Sequence, residues 1–320
     1  MSKESVSWGP TDARCEYTLR ELERTATNAV LRFKNVSQVL PAHPVDIVYH
    51  YTDLAGLLGI VRSGELWLTD ATQLNDPTEL RHGLSYALEV MKSWFPYDRT
   101  DQYYVFVNRF SRFVDELSVD TGIHFVASFS ANGDDLNQWR GYAAQGKGFA
   151  LGFDARILAE GFTKFDSDSS AFAAIYRDVE MRFVLQPVIG EILQAAWLAG
   201  TTRSQEMACP SWYWDGMFKI ASQALLRLSI PFKNEAYSTE EEYRLLRMST
   251  RGSNVRSRSR SGGMIHYEAF DWRAACPASL VRIVSGPAAN LEELDQLTEI
   301  VATLPFTPKI SRSNIPFRSV

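Results

Sequence analysis

Apolar positions follow strand-like and helical spacing in turn, most clearly around His50. The apolar run from Val45 to Tyr51 predicts a buried strand. A helical period of apolar residues follows over 54–61, and Gly64 stands where a helix end favours positive φ. His50 is therefore expected at the end of a strand and beside a helix N-terminus, where unpaired backbone N–H groups favour a small anionic ligand.

The rest of the pattern predicts short strands separated by helices. An amphipathic helix is expected from about Arg14 to Leu40, and Pro187 is expected to kink or restart a later helix. The other predicted helices cover about 77–94, 101–117, 134–144 (capped by Asp134), 178–199, 211–228 and 291–304, and the predicted strands cover about 66–68, 124–130, 149–153, 172–176, 241–248, 265–270, 280–285 and 309–317. This succession predicts an α+β fold with a mixed sheet flanked by helices.

Composition and charge narrow the class of protein. Of the 320 residues, 45% are apolar and 22% are charged, as in ordinary globular proteins. The net charge of −5 gives no general reason to expect nucleic-acid binding. The three cysteines form no C-x-x-C pair, which fits a reducing compartment and argues against a zinc ribbon. Without a signal-peptide core or a membrane-spanning apolar run, we expect a soluble, cytoplasmic bacterial protein with no membrane partner.

His50 and Thr52 carry the first candidate chemistry. An imidazole can donate a hydrogen bond to a ribose hydroxyl or a phosphate, and Thr52 adds a hydroxyl beside it. Thr52 is also a candidate N-cap for the helix that follows. The alternative for His50 is a core histidine whose ring is satisfied by a backbone carbonyl.

The polar stretch 75–79 allows a catalytic and a structural interpretation. Asp76 as N-cap, Pro77 at the first helical position and Glu79 at the third form a capping-box arrangement. We favour capping for Asp76 and Glu79. Asn75 is not needed for the cap and is expected to reach toward a ligand.

Two further pairs of side chains share a face on their predicted elements. Ser128 and Ser130 alternate along a strand and therefore point the same way, which is unusual for two hydroxyls in a core strand. Trp139 and Tyr142 lie three apart on a helix and share a side. That pair fits either core packing or a stacking platform for a flat ring.

Glu240 and Glu242 point to one side if a strand begins at this point in the chain. A carboxylate at Glu242 could accept a hydrogen bond from a ribose 2′-hydroxyl and stabilise positive charge that develops at C1′. The alternative is a solvated acidic edge that limits strand pairing.

A basic segment follows, with Arg251, Arg256, Arg258 and Arg260 set among serines and glycines. This composition predicts a mobile loop over 251–263. Such a loop could bind phosphates or RNA, although basic serine-rich loops are more often only solvated. The sequence contains no H-E-x-x-H, P-loop or G-x-G-x-x-G motif, so those chemistries have no support.

Taken together, these motifs resemble a widespread bacterial family of stand-alone proteins of unknown function. The resemblance covers about 45–317 and rests on segments in a fixed order, namely Tyr49-His50-Tyr51-Thr52, Ser63-Gly64 before Leu66-Trp67, Asn75-Asp76-Pro77-Thr78-Glu79, Ser128-Phe129-Ser130, Trp139-x-x-Tyr142, Gly148–Phe153 and Tyr237-x-x-Glu240-x-Glu242-Tyr243-Arg244. That family is similar to distant, DarT-like members of the ADP-ribosyltransferase fold, which open with a His-x-Thr strand, a helix and a glycine turn.

The resemblance implies an ADP-ribosyltransferase-like mixed split sheet. It implies one domain over 45–320 with large helical insertions at about 77–120 and 178–228, preceded by an N-terminal helical extension over 1–44. NAD is the implied substrate, and no metal is needed. The residues that the resemblance assigns to NAD binding are His50, Tyr51, Thr52, Asn75, Ser128, Ser130, Trp139 and Tyr142.

Glu242 matches the glutamate that engages the nicotinamide ribose in such enzymes, and Glu240 matches the residue that orients the acceptor. The implied activity is NAD-dependent ADP-ribosyl transfer, in phage defence or toxin action. The acceptor is left open between nucleic acid and protein, and the arginine segment is a candidate contact for it. A non-catalytic nucleotide- or nucleic-acid-binding module is the first alternative, and an NAD glycohydrolase is the second. The chain departs from the family by mixing features of its His-Tyr-Glu and Arg-Ser-Glu subclasses.

Overall fold

The structure, a computed structural model, describes most of the chain. The described residues are 10–36, 45–74, 79–94, 102–116, 123–164, 169–200, 211–249, 254–260, 263–290, 297–298, 301, 304 and 306–316. Residues singled out from the sequence that lie outside these ranges are Asn75, Arg251 and the proposed cap residues Asp76 and Pro77.

The secondary structure consists of helices interleaved with short strands. The helices are α1 (Pro10–Val36), α2 (Leu54–Ser63), α3 (Glu79–Ser93), α4 (Gln102–Glu116), α5 (Leu136–Tyr142), α6 (Ala155–Thr163), α7 (Asp178–Gly200), α8 (Ser211–Ser229) and α9 (Trp272–Ala275). The strands are β1 (Ile47–Thr52), β2 (Glu65–Asp70), β3 (Ile123–Ser130), β4 (Phe149–Asp154), β5 (Ser169–Ala173), β6 (Glu242–Ser249), β7 (Arg256–Arg260), β8 (Gly263–Asp271), β9 (Leu280–Ser285) and β10 (Lys309–Arg312). The mixed α/β composition expected from the sequence is confirmed.

The chain folds into two compact units. Helices α1, α3, α4, α7 and α8 form the first, here called the helical unit. All the strands belong to the second, here called the sheet unit. The segments interpreted from the sequence as an N-terminal extension and two insertions thus supply the helical unit, because their amphipathic helices cover one another's apolar faces.

The helical unit has its own hydrophobic core. Apolar side chains from all five helices are buried in it, among them Leu22, Leu84, Phe110, Ile192, Met217 and Leu225. Removal of this apolar surface from water is the main force that holds these helices together. The N-terminal helix and the two interpreted insertions therefore share one hydrophobic core.

Gly83 marks the closest approach of α3 and α8. A Cβ at this position would lie 2.1 Å from the Cβ of Ser229 and 2.8 Å from its carbonyl oxygen. Gly83→Ala is therefore expected to lower the free energy of unfolding by about 1–3 kcal/mol, since the helices must separate. Urea denaturation followed by circular dichroism measures the change.

Gly190→Ala is the matched control, because a Cβ on Gly190 in α7 would meet nothing within 4 Å. Alanine favours a helix over glycine, so this variant should gain up to about 1 kcal/mol. Equal effects of the two substitutions would show that the α3–α8 contact does not limit stability.

The sheet unit is built on one mixed sheet. Its main strand order is β10-β9-β4-β1-β3-β2-β8-β7, and β6 pairs with both β3 and β5. The β9–β10 pair is parallel and the other strand pairs are antiparallel. A buried cluster covers one face of the sheet and includes Val48, Leu57, Leu66, Phe129 and Trp272.

The sheet is split along one edge of β3. That edge pairs with β2 at Phe125 and Val126, and with β1 only at Ser130, which lies opposite Tyr49. Between these points, residues 127–129 pair with neither β1 nor β2 among the described strands. The opposite edge of β3 pairs with β6 along its whole length. The opening at 127–129, here called the split, separates the two halves of the sheet.

Several local predictions need correction. Asp53, not Thr52, caps α2, because its carboxylate accepts from the Gly56 N–H at 2.7 Å. Asp135, not Asp134, caps α5. Pro187 lies inside α7, which continues to Gly200, so the predicted restart is wrong and the predicted kink stays a prediction. The predicted end of α2 is confirmed, with Gly64 at φ 75°.

The arginine segment is the largest correction. Residues 256–260 form β7, which pairs with β8 from Arg256 opposite Tyr267 to Arg260 opposite Gly263. The sequence predicted a loop here because alternating Arg and Ser have no apolar face to bury. β7 lies at the end of the strand order, where polar side chains suit an edge strand.

Candidate functional site

Ser128 is the polar centre of the split. Residues 124–127 and 129–130 of β3 are buried, whereas the side chain of Ser128 is exposed. Cross-strand register places it opposite Arg244 and places Ser130 opposite Glu242, so these four side chains share one face of the sheet. An accessible hydroxyl in an otherwise buried strand indicates an open depression on that face.

His50 reaches across the split from β1. Its Nδ1 lies 3.0 Å from the carbonyl oxygen of Ser128, and its ring centroid lies 5.5 Å from that of Phe129. A carbonyl oxygen only accepts, so Nδ1 carries the proton and Nε2 of the neutral ring is left as an acceptor. The backbone-satisfied histidine considered from the sequence is therefore present, and its second nitrogen is still suited to a ligand hydroxyl.

The surroundings of His50 keep its ring neutral. Loss of solvent around the ring lowers the pKa of His50 from its ordinary 6.5, and the positive charge of Arg258 lowers this pKa further. The hydrogen bond to the Ser128 carbonyl acts in the opposite direction. A neutral imidazole is the form that the Nδ1–H donor and Nε2 acceptor arrangement requires.

Acidification should destabilise the protein through His50. The pKa of His50 is lower in the folded state than in the unfolded state. Below about pH 6.5 the unfolded chain therefore binds more protons, and the free energy of unfolding decreases as the pH is lowered. His50→Asn keeps a donor for the Ser128 carbonyl but does not titrate, so its stability should depend less on pH between 5 and 6.5. Urea denaturation at several pH values measures the slope.

His82→Asn provides the comparison, because it removes a histidine from α3 in the helical unit. An unchanged slope in His50→Asn, or an equal change in both variants, would contradict the assignment. NMR titration of the His50 ring should give a pKa below 6.5.

Glu242 and Arg244 form a buried ion pair on β6. Nε and Nη2 of Arg244 donate to the two carboxylate oxygens of Glu242 at 2.8 and 2.9 Å. The two residues are only 6% and 3% exposed. This two-pronged contact favours the ionised carboxylate and fixes its orientation beside Ser130. The predicted solvated acidic edge does not describe Glu242, because the side chain is buried.

Arg244 is the residue that the sequence interpretation missed as a site residue. The signal was available, because residues two apart on a strand point to the same face and Glu242 and Arg244 carry opposite charges. The backbone just before the pair is unusual. Glu241 has φ 43°, and its carbonyl accepts from the Ala131 N–H at 2.8 Å. This left-handed residue turns the chain from the 3-10 helix that ends at Glu240 into β6.

Trp139 and Tyr51 are packed together under the turn that follows β3. Trp139 is 0% exposed, and its indole N–H donates to Asp134 at 2.8 Å. The ring of Tyr51 meets it edge-on, and the Tyr51 hydroxyl donates to the Asn132 carbonyl at 2.8 Å. A ring without exposed surface offers no face to a ligand, so these two residues hold the turn in shape.

Tyr142 is the accessible member of the predicted aromatic pair. It ends α5 and is 47% exposed, whereas Trp139 on the same helix is covered. The sequence placed both on one side of the helix. α5 ends at Tyr142, and the chain turns away through Ala144 and Gln145, which both have positive φ.

Ser130 and Thr52 have local structural partners. Ser130 is 2% exposed and its hydroxyl accepts from the Asn132 N–H at 3.1 Å. The hydroxyl of Thr52 packs against Gly56, where an added Cβ would lie 2.0 Å from its oxygen. Ser128 is therefore the predicted hydroxyl that is both exposed and placed at the split.

Two arginines of the basic segment, Arg256 and Arg258, contact β2. Nη1 of Arg256 donates to both carboxylate oxygens of Glu65 at 3.0 Å. Nη2 of Arg258 donates to the Thr69 hydroxyl at 3.4 Å, and its guanidinium lies 5.3 Å from the centroid of the Trp67 ring. Arg260 ends β7.

The candidate site thus consists of Ser128, Glu242 and Arg244 on one face of β3 and β6, with His50 of β1 at the split. It combines a neutral imidazole, an accessible hydroxyl and a fixed carboxylate. Ser130 lies opposite Tyr49, so alternation along β1 turns His50 to the other face, and His50 meets β3 at the Ser128 carbonyl oxygen. Such a set can orient hydroxyl groups and stabilise positive charge that develops in a substrate.

One comparison with known proteins identifies part of the chain. Residues 138–245 match the family described as "Protein of unknown function (DUF2971)". The predicted family of unknown function is confirmed for this part of the chain, over a shorter span than the expected 45–317. The DUF2971 match includes Glu242 and Arg244 but not His50 or Ser128.

No curated protein and no solved structure matches the chain. The similarity to ADP-ribosyltransferases therefore remains a prediction alongside the DUF2971 match. Among the described helices, none combines the length and the apolar character needed to cross a membrane.

Proposed function

We propose that the sheet unit has an ADP-ribosyltransferase-like fold and transfers ADP-ribose from NAD to an acceptor. The observation that carries the proposal is the arrangement at the split. Ser128 is exposed on β3, His50 on β1 contacts its carbonyl oxygen, and the buried Glu242 on β6 shares its face two residues further along. These residue types occur on the strands where the resemblance to ADP-ribosyltransferases expects them.

The reaction makes two demands on such a site. The bond between the ribose C1′ and the nicotinamide nitrogen breaks, and its electron pair leaves with nicotinamide. A nucleophilic atom of the acceptor forms a new bond to C1′ and loses a proton. Positive charge develops at the ribose in between, so a fixed anion nearby lowers the barrier.

The chain's own residues suit these demands. Glu242 supplies the anion, and Arg244 holds it in one orientation at 2.8 and 2.9 Å. Nε2 of His50 can accept a hydrogen bond from a ribose hydroxyl, and the exposed Ser128 hydroxyl can donate or accept one. Tyr142 offers an accessible ring for the nicotinamide.

Incubation of the full chain with NAD tests the proposal, with nicotinamide and ADP-ribose measured in the presence and absence of bacterial lysate or nucleic acid. Transfer predicts released nicotinamide together with ADP-ribose attached to a macromolecule. Free ADP-ribose in an amount equal to the released nicotinamide would support the glycohydrolase alternative. Saturable NAD binding without nicotinamide release would support a non-catalytic nucleotide-binding module. Absence of both NAD binding and nicotinamide release would overturn the transferase and the glycohydrolase.

A further inference from the structure

A second polar and aromatic surface lies on the same face of the sheet as Ser128. It consists of Trp67, Tyr267, Arg256 and Arg258 and is here called the aromatic–arginine face. Register places these side chains on one side, since Thr69 lies opposite Tyr267 and Tyr267 lies opposite Arg256. No contact predicted from the sequence involved either aromatic residue.

Trp67 is exposed but held in place. The residue is 40% exposed, and its ring stacks on Tyr267 with centroids 4.4 Å apart and an angle of 30° between the planes. Its indole N–H donates to Glu65 at 3.4 Å. An exposed large aromatic ring loses little conformational entropy on binding when it is already fixed in this way.

Arginine side chains border this ring. The guanidinium of Arg258 lies 5.3 Å from the centroid of Trp67, and Arg256 shares Glu65 with the indole. A planar cation beside a fixed aromatic ring suits a ligand that combines a flat ring with a phosphate.

The aromatic–arginine face continues toward the candidate site. Thr69, which accepts from Arg258, lies opposite Val126 on β3, and Val126 points to the same side as Ser128 two residues later. A polymer bound along Trp67 and Arg258 would therefore run toward Ser128. A short ligand would occupy only one of the two places.

We infer that the aromatic–arginine face binds single-stranded nucleic acid, with a base stacked at Trp67 and phosphates at Arg256 and Arg258. The identification of nucleic acid as the acceptor of the transfer reaction rests on the proposed function, whereas the binding itself does not. Each base has a flat π face, so stacking at Trp67 needs no particular sequence.

Fluorescence anisotropy with labelled fifteen-nucleotide oligothymidine and oligouridine tests the inference on the full chain without NAD. Trp67→Ala should weaken binding about fivefold or more, because base stacking on an aromatic ring is lost. Trp67→Phe keeps a ring and should recover most of the affinity. Arg258→Ala should reduce the dependence of log affinity on log salt by about 0.7, as expected for one lost phosphate contact.

Two variants in the helical unit provide matched controls. Phe183→Ala removes an aromatic ring that is 65% exposed, and Arg20→Ala removes a surface arginine of α1. Both should bind like the wild type. Preference for one oligonucleotide would show whether DNA or RNA is bound, and either outcome supports the surface.

Three results would overturn the inference. The first is absence of saturable oligonucleotide binding by the wild type. The second is wild-type affinity in the Trp67→Ala and Arg258→Ala variants, and the third is binding of polyglutamate as tight as that of the oligonucleotides. Polyglutamate binding would mean that the face recognises acidic polymers rather than bases. Oligonucleotide binding by a wild-type protein that releases no nicotinamide would uphold the surface and reject only the transfer reaction.

Discussion

Replacing Glu242 with glutamine is expected to lower nicotinamide release from NAD by about a hundredfold or more. The amide has the size of the carboxylate but no negative charge, so it cannot offset positive charge that develops at the ribose. Loss of one fixed electrostatic group in an active site commonly costs about 10²–10³ in rate. The measurement is initial nicotinamide release at saturating NAD, below the unfolding temperature of both proteins.

Glu268→Gln is the matched control for this variant. Glu268 is a buried glutamate on β8 that faces Arg247, with an oxygen 3.5 Å from its guanidinium. It lies opposite Leu68, whose side chain belongs to the core cluster on the other face of the sheet. Glu268→Gln should retain activity within about threefold while losing comparable stability. Equal activity losses in the two variants would show that the Glu242 effect comes from folding.

Replacing Arg244 with methionine is expected to destabilise the protein by about 3–5 kcal/mol, since it leaves the buried Glu242 carboxylate without its charge partner. Urea denaturation gives the free energy of unfolding. The loss should be smaller at low pH, where protonation of the carboxylate removes the uncompensated charge.

The double variant Glu242→Leu/Arg244→Met separates charge from packing. Removal of both charges should restore most of the stability, because a buried ion pair contributes little beyond two apolar side chains of similar volume. The coupling energy from the complete cycle should then be at least about 1 kcal/mol. Additive effects of the two single substitutions would contradict a direct pair. The restored protein should still release no nicotinamide, which would assign Glu242 a role in activity rather than in folding.

The sequence predicted the elements well where residues repeat at a clear period. The apolar run before His50 predicted β1, and the helical spacing of apolar residues over 54–61 predicted α2; both elements are present. It failed over 256–260, because an edge strand made of Arg and Ser carries no apolar alternation. Caps were misplaced by one residue at Thr52 and Asp134, since aspartate follows directly in both places and competes for the same backbone N–H groups.

The candidate site was only partly accessible to the same reasoning. Ser128 and Ser130 look equivalent on a strand, and Trp139 and Tyr142 look equivalent on a helix. The structure exposes Ser128 and Tyr142 and buries the other two. Exposure depends on which distant segment covers a side chain, and local spacing carries no information on that.

The sequence by itself determined which side chains share a face, because strand and helix periods are local properties of the backbone. It thereby set Glu242 and Arg244 side by side. Only the tertiary structure decided that the edge of β3 stays open at 127–129 and that His50 reaches Ser128 across it. The reason is that pairing between β1, β2, β3 and β6 joins segments as far apart in the chain as Ile123 and Ser249, and its register follows from packing of the whole sheet.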